Sequence, residues 1–278
     1  MTAEADAPGP APLVIGSVAY TPNVVTIWEG LRDYFASTTT PIDFVLYSNY
    51  GRLVDSLVAG HVDIAWNTNL AYVRTVAQTG GACRALASRD TDLVFRTVFV
   101  SRAGAGLDGI GAVRGRRLAL GSRDSAQAAI LPVHFLREAG IDDGEVEYLR
   151  IDSDVGKHGD TGRSELDALR AVLDDRADAA AIGVNTWESI ARGDIMAGAL
   201  EAFWTSPEYS HCTFTAMPAL TDDRAEAWVA NLMAMDWEDP AHREILELEG
   251  LRAWVPPDLD GYAGLFAAVE EQGIPARW

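Results

Sequence analysis

Residues 53–73 have the sequence LVDSLVAGHVDIAWNTNLAYV, and residues 165–190 repeat the same plan as ELDALRAVLDDRADAAAIGVNTWESI. Each stretch predicts an amphipathic helix, a short polar turn, an apolar strand and a polar loop that begins a further helix. Both predicted strands are followed by polar residues: Asn67, Thr68 and Asn69 in the first stretch, Asn185 and Thr186 in the second. Ligands of open α/β sheets bind beyond the carboxyl ends of the strands. The repeat therefore predicts two lobes with a ligand cleft between them.

The remainder of the chain alternates apolar strands with amphipathic helices, which predicts an α/β fold containing parallel sheets. We expect a leader at residues 1–12 and crossings between the lobes near Ser101 and Ser206. Lobe 1 would then comprise residues 13–101 and 206–278, and lobe 2 residues 102–205. Two crossings between two lobes are typical of a hinge architecture.

The chain has 278 residues, 48% hydrophobic residues and a net charge of -19. Nucleic acids and anionic membrane surfaces are excluded as partners, because binding phosphate backbones requires a basic surface. No segment is apolar enough for membrane insertion.

The first residues lack the basic and apolar regions of a signal peptide, so we expect a cytoplasmic protein with free Cys83 and Cys212 thiols. The oligomeric state stays open.

Residues 121–127 precede a predicted helix and contain Ser122, Ser125 and Gln127. The amino end of a helix attracts anions through its free N–H groups and its dipole. An ordinary capped helix without a ligand fits the same residues. Asn67 and Asn69 begin a second helix at a strand end, so the two helix starts would hold one anion from both sides.

Aromatic residues near the same strand ends would form the wall of a small-ligand site, although packing explains them as well. The predicted ligand-binding residues are Tyr20, Tyr50, Asn67, Asn69, Tyr72, Ser122, Ser125, Gln127, Asn185 and His211.

The loop after the strand at 146–151 holds Lys157, the only lysine, beside His158. Histidine transfers protons near neutral pH, and lysine binds anions or acts as a base when desolvated. Both are therefore the predicted catalytic residues, with a solvated surface loop as the alternative. A Cys212–His211 nucleophile pair is disfavoured, because neighbours in a strand point to opposite faces. The histidine and cysteine spacings match no metal motif, so no metal or other cofactor is expected.

Three segments resemble, in order, those of the phosphate and phosphonate solute-binding proteins of ABC importers. Residues 53–73 resemble the helix, the G-x-x-D-[IV]-A strand and the loop of that family, with Tyr72 at its aromatic position. LALGSRDSAQAAILPVHFLREAGI resembles the anion loop, and KHGDTGRSELDALRAVLDDRADAAAI a segment that carries a histidine at His158. The resemblance spans Leu13 to Met217 and implies the two-lobed type 2 periplasmic-binding fold.

The resemblance also implies a small anionic ligand or substrate in the cleft. Cytoplasmic relatives of this fold include chorismate dehydratase and dihydroxyphthalate decarboxylase. Because no export signal is seen, we expect a cytoplasmic non-redox lyase, a decarboxylase or dehydratase, that acts on a small carboxylic acid such as an aromatic one. The alternative is a non-catalytic binding protein for phosphonate, phosphate or carboxylate, either an importer component or a cytoplasmic sensor.

Overall fold

The computed structural model describes residues 11–157, 162–193, 196 and 198–277, and these residues form eleven strands and nine helices. The strands are β1 (Leu13–Val18), β2 (Ile42–Tyr47), β3 (Ile64–Asn67), β4 (Arg84–Arg89), β5 (Thr97–Arg102), β6 (Arg117–Leu120), β7 (Glu147–Arg150), β8 (Ala179–Gly183), β9 (Leu200–Thr205), β10 (Thr213–Ala216) and β11 (Trp254–Val255). The helices are α1 (Asn23–Ala36), α2 (Tyr50–Val58), α3 (Asn69–Thr79), α4 (Leu131–Glu138), α5 (Arg163–Leu173), α6 (Val184–Arg192), α7 (Asp222–Met233), α8 (Pro240–Glu249) and α9 (Ala263–Glu271). A π-helical turn, Ala126–Ile130, leads into α4.

The strands form two separate sheets with the same internal plan. The first sheet has the order β11-β4-β10-β3-β1-β2, and the second has the order β7-β6-β8-β5-β9. The two repeated stretches supply β3 and β8, which occupy equivalent places. The strand β3 is parallel to β1 and antiparallel to β10, while β8 is parallel to β6 and antiparallel to β5. The sequence repeat therefore corresponds to a repeat of topology.

The antiparallel strand of each sheet arrives from the other sheet. The chain passes from β4 to β5 through residues 90–96, and it returns from β9 to β10 through residues 206–212. These two segments are joined by an antiparallel bridge between Phe95 and Tyr209. The predicted boundary after residue 101 would remove β5 from the sheet in which it pairs with β8 and β9. The residues of an apolar strand do not show which of two sheets it joins, so the predicted boundary put β5 in the wrong lobe.

The two sheets have cores of different composition. Aromatic rings dominate beside the first sheet, where the Phe214 centroid lies 4.5 Å from that of Trp66 and 4.9 Å from that of Trp228. The second sheet has many small and aliphatic residues on both faces, such as Ala119 with Leu169 on one face and Ala181 with Val133 on the other. The second of these faces also holds the rings of Phe99, Phe203 and Trp204. Each large side chain buried in this way contributes roughly 1.5–3 kcal/mol to folding.

Helix α9 packs against both α3 and α4, so it contacts elements of both halves of the chain. Its Leu265 belongs to a buried cluster that contains Leu70, Phe95, Ile130 and Tyr209. This cluster lies beside the two crossing segments and surrounds them with apolar contacts. Among the described helices, none is long and apolar enough to cross a membrane.

Candidate functional site

A cavity of about 420 Å³ lies at strand ends of both sheets, and we call it the cleft pocket. Tyr20 and Thr21 reach it from the end of β1 in the first sheet. The second sheet contributes the loop after β7 and the first turns of α5 and α6. The lining residues are Tyr20, Thr21, Asp154, Lys157, Gly162, Arg163, Leu166, Thr186 and Ser189. Their position fits the rule that ligands of such sheets bind outside the carboxyl strand ends.

Gly162 lets the loop after β7 lie close to the start of α5. A Cβ atom at this position would lie 2.7 Å from Asp154 Oδ2, so a larger residue would displace the Asp154 carboxylate. Asp154 accepts a hydrogen bond from Ser122 Oγ, and its other oxygen accepts one from Ser164 N at 3.4 Å. These contacts hold its carboxylate at the edge of the pocket.

The same loop also contacts the first lobe. Tyr50 N donates to Gly156 O at 2.9 Å, and Gly156 N donates to Asp124 Oδ2 at 2.7 Å. Gly156 has φ +81°, a conformation that favours glycine. A Cβ atom added to it would lie 3.1 Å from Asn49 Cβ. The loop therefore bridges the two halves of the molecule beside the cleft pocket.

The predicted anion loop is buried, and its polar groups bond within the protein. Ser122 N donates to Ser164 Oγ at 3.1 Å, and Ser125 Oγ caps the following helix by accepting from Ala128 N at 3.2 Å. Gln127 is also completely buried. None of Ser122, Ser125 and Gln127 lines the cleft pocket in the part of the chain that the structure describes. Their predicted contact with a ligand stays a prediction.

Gln127 connects to a buried acid, Glu165, on the first turn of α5. Gln127 Nε2 donates to Glu165 Oε1 at 3.0 Å, and Gly183 N donates to Glu165 Oε2 at 2.8 Å. Burial raises the pKa of Glu165 to about 7, although the two hydrogen bonds favour the charged form. This carboxyl group therefore gains or loses its charge near neutral pH.

On its other side Gln127 meets His211, with 3.4 Å between Gln127 Oε1 and His211 Nε2. The imidazole stacks on Phe95 at a centroid distance of 4.1 Å, and its Nδ1 lies 3.4 Å from Asp92 Oδ1. The connected residues are Arg89, Asp92, Gln127, Glu165 and His211. We call them the hinge network, because Asp92 and His211 lie in the two crossing segments.

Asp92 anchors the hinge network through a two-pronged ion pair with Arg89. Arg89 Nε lies 2.7 Å from Asp92 Oδ2, and Arg89 Nη2 lies 2.8 Å from Asp92 Oδ1. Burial by itself would raise the pKa of Asp92, but the Arg89 charge and its hydrogen bonds reverse this and hold the pKa below its ordinary value. The carboxylate is therefore charged throughout the physiological range.

His211 and Cys212 do face each other, with 3.0 Å between Nδ1 and Sγ. The strand argument against this pair was wrong, because both residues precede β10 and lie in the crossing segment. Together with Asp92 they offer three possible metal ligand atoms within 4.8 Å of one another. All three residues are buried, and Arg89 already supplies the positive charge beside the carboxylate.

The other predicted ligand residues divide between the pocket and the interior. Tyr20 and Lys157 line the cleft pocket. Asn67 and Asn69 are completely buried, and Asn69 Oδ1 accepts from Leu70 N at 2.9 Å. Tyr72 packs on Tyr262, with 4.8 Å between ring centroids.

Tyr50 is also buried, while Asn185 is partly exposed on α6. His158 lies outside the described residues. Sequence reasoning placed Thr186 at a strand end beside the predicted cleft but did not count it as a ligand-binding residue. It missed Arg163 as a lining residue, although Arg163 also follows a strand of the second sheet in the chain. The signal for Arg163 was its place at the start of the predicted helix, where a side chain can face the strand ends.

Residues 16–262 match the family described as "ABC transporter, phosphonate, periplasmic substrate-binding protein". A curated relative from Prochlorococcus marinus (strain MIT 9301), the probable ABC transporter phosphite binding protein PhnD1, is 25% identical over 235 residues. That alignment covers 81% of this chain and 76% of the relative. The predicted family resemblance is confirmed.

Solved structures show the same architecture. PhnD1 from Prochlorococcus marinus in complex with methylphosphonate superimposes with a TM-score of 0.74 at 18% identity, over 94% of this chain and 98% of that chain. The aliphatic sulphonate binding protein SsuA from Escherichia coli superimposes with a TM-score of 0.64 at 13% identity, over 96% and 94% of the two chains. The predicted two-sheet α/β fold of the periplasmic-binding type is confirmed.

The family match overturns the prediction of a lyase. The family consists of solute-binding components of transporters, and the relatives are described as binding proteins. The sequence argument had inferred an enzyme from the absence of an export signal, which says nothing about catalysis. The assignment of Lys157 and His158 as catalytic residues loses its basis with the lyase.

Proposed function

We propose that this chain, which belongs to the phosphonate family of periplasmic substrate-binding proteins of ABC transporters, holds a small oxyanion in the cleft pocket without transforming it. The observation that carries the proposal is the pair of cationic side chains, Lys157 and Arg163, in that pocket. Tetrahedral phosphorus or sulfur oxyanions are the ligand class, because relatives are described as binding methylphosphonate, phosphite and aliphatic sulphonates.

The charges of the cleft pocket differ from those of the whole chain. The protein carries a net charge of -19, yet the pocket has two cationic side chains and one carboxylate, Asp154. Both oxygens of Asp154 already accept hydrogen bonds, one from Ser122 Oγ and one from Ser164 N at the start of α5. Arg163 Nε lies 3.7 Å from Asp167 but is largely exposed, so its guanidinium can turn toward a ligand. A hydrogen bond from such a charged donor contributes about 1.5–3 kcal/mol.

Both halves of the molecule contribute to the cleft pocket, which supports a closing mechanism. Tyr20 and Thr21 come from the first sheet, while Lys157 and Arg163 follow strands of the second. A ligand between them would favour the arrangement in which the halves approach each other, as in hinge-type binding proteins. Delivery of the bound oxyanion to an ABC importer is the role that the family description implies, and for this chain it is part of the proposal.

Isothermal titration calorimetry with the full chain tests the proposal, using methylphosphonate, phosphite, ethanesulfonate and benzoate as ligands. We expect one of the phosphorus or sulfur oxyanions to bind more tightly than benzoate. Arg163→Ala should raise the Kd for that ligand about tenfold, the equivalent of ~1.4 kcal/mol. Arg170→Ala is the matched control, because Arg170 is an exposed arginine of the same helix that pairs with the same Asp167.

Two results would reject the proposed function. One is equal affinity of the Arg163→Ala and Arg170→Ala variants for every oxyanion that binds the parent chain. The other is chemical conversion of the ligand during a prolonged incubation. Nuclear magnetic resonance of ³¹P would detect it for a phosphorus oxyanion, and of ¹H for ethanesulfonate.

A further inference from the structure

A second and larger cavity, of about 650 Å³, lies on the other side of the loop after β7. We call it the arginine groove. Val155 of that loop lines the arginine groove, whereas its neighbours Asp154 and Lys157 line the cleft pocket. The groove runs between α3 and the segment after α9 on one side and elements of the second sheet on the other. It is therefore separate from the proposed oxyanion site.

The arginine groove concentrates positive charge in an acidic protein. Its lining includes five arginines and three acidic residues, whereas the whole chain has a net charge of -19. The five are Arg74, Arg123, Arg137, Arg150 and Arg277. A local excess of positive charge in a concave surface attracts anions against the overall field.

Two of these arginines are committed to internal ion pairs. Arg123 pairs with Asp152, and Arg137 lies 2.7 Å from Asp143. Among the described residues, no carboxylate lies within ion-pair distance of Arg150 or Arg277, so their charges are available to a ligand. Arg150 instead lies over the ring of Tyr148, 5.8 Å from its centroid.

Arg74 gives the groove a fixed wall. Its side chain is only 4% exposed, and its Nε donates to Pro275 O at 3.0 Å, which holds the last described segment against α3. Burial lowers the pKa of Arg74 to about 10, against the effect of the nearby Asp124 charge, so the guanidinium stays charged at neutral pH.

The remaining lining is suited to a flat, partly apolar group. Val133, Val155 and Ile274 contribute apolar surface, and Tyr148 with Arg150 forms a cation–π pair. Guanidinium planes stack on aromatic rings and bind phosphate oxygens in pairs. The volume is within the range of sites for small organic ligands.

We propose that the arginine groove is a second ligand site, for a nucleoside polyphosphate. The phosphate chain contacts Arg150 and Arg277, and the base packs on the apolar lining beside Tyr148. The proposal goes beyond the cleft pocket and does not depend on it. Binding of ATP, tripolyphosphate and adenosine to the full chain, measured by calorimetry at low salt, tests it.

We expect ATP to bind more tightly than tripolyphosphate, and adenosine alone not to bind detectably. The double variant Arg150→Glu and Arg277→Glu should raise the Kd for ATP at least tenfold. Its matched control is Arg176→Glu with Arg192→Glu, which makes the same change of charge at exposed positions outside both cavities.

Methylphosphonate separates the two sites. Its affinity should be unchanged in the groove variant and reduced by Arg163→Ala, which changes the cleft pocket. Absence of ATP binding to the parent chain overturns the proposal, as does equal affinity of the groove and control variants for ATP. If tripolyphosphate and ATP bind with equal affinity, the base makes no contribution, and its proposed contact with the apolar lining beside Tyr148 is wrong.

Discussion

The hinge network and the cleft pocket use the same kinds of side chain and put them to opposite uses. In the hinge network Asp92 and His211 are buried and have partners inside the protein. In the cleft pocket Lys157 is exposed, and Arg163 is also exposed, with its Nε 3.7 Å from Asp167. A buried charge must be paired for the chain to fold, whereas an exposed charge in a concavity is free to meet a ligand. The difference separates residues that hold the halves together from residues that we propose bind the oxyanion.

The largest expected effect is on the hinge network. Asp92→Ala would leave Arg89 buried without its principal anion, so the free energy of unfolding should fall by about 3–5 kcal/mol. Urea unfolding followed by circular dichroism measures the loss. Asp222→Ala is the control, because Asp222 also pairs with an arginine but is exposed, and an exposed pair contributes at most about 1 kcal/mol. Similar losses of stability in both variants would show that the buried ion pair contributes no more than the exposed one.

A second effect is the dependence of stability on pH through Glu165. Its pKa in the folded chain, about 7, is above the ordinary value of 4.5, so the folded state binds the proton more tightly than the unfolded state. This stability is fully present below pH 4.5 and is lost as the pH rises through 7. The loss amounts to roughly 3 kcal/mol, because each tenfold difference in proton affinity between the two states corresponds to about 1.36 kcal/mol.

Glu165→Gln should remove that slope and should stabilise the protein above pH 7. Urea unfolding at a series of pH values between 4.5 and 8 measures the slope. Glu188→Gln, at an exposed position of α6, should keep the slope of the parent chain. A Glu165→Gln profile parallel to the parent would show that this carboxyl group does not carry the dependence.

The smallest effect on stability is expected in the cleft pocket. Lys157→Ala should change the free energy of unfolding by less than about 0.5 kcal/mol, because the side chain is exposed. The Kd for methylphosphonate should nevertheless rise about tenfold, or ~1.4 kcal/mol. Urea unfolding and calorimetry on the same preparation give both numbers. A destabilised variant with unchanged affinity would place Lys157 with the structural residues.

Much of the fold follows from the sequence because hydrophobic periodicity reports local structure directly. The repeated helix-strand-helix stretches predicted β3 and β8 and the two sheets around them. The place of β5 did not follow, since pairing with β8 is decided by tertiary contacts between distant residues. The predicted cytoplasmic location remains a prediction, which cell fractionation would test.

The candidate site was only partly predictable. Tyr20 and Lys157 line the cleft pocket, but Ser122, Ser125 and Asn69 bond to neighbouring atoms of their own chain. A polar residue after a strand has the same sequence signature whether it faces a cavity or caps a helix. Only the relative position of the two sheets decides between these outcomes, and no local pattern records it.

The burial of the two crossing segments has a consequence for amide hydrogen exchange. The amide of His211 donates to Asp92 O at 2.9 Å, and the amide of Cys212 donates to Asp92 Oδ1 at 3.1 Å. Amides bonded within a buried network exchange only when that network opens. In the closing motion that we propose, the residues about which the halves turn should therefore be among the slowest to take up deuterium. Bending at these segments would then proceed without local unfolding.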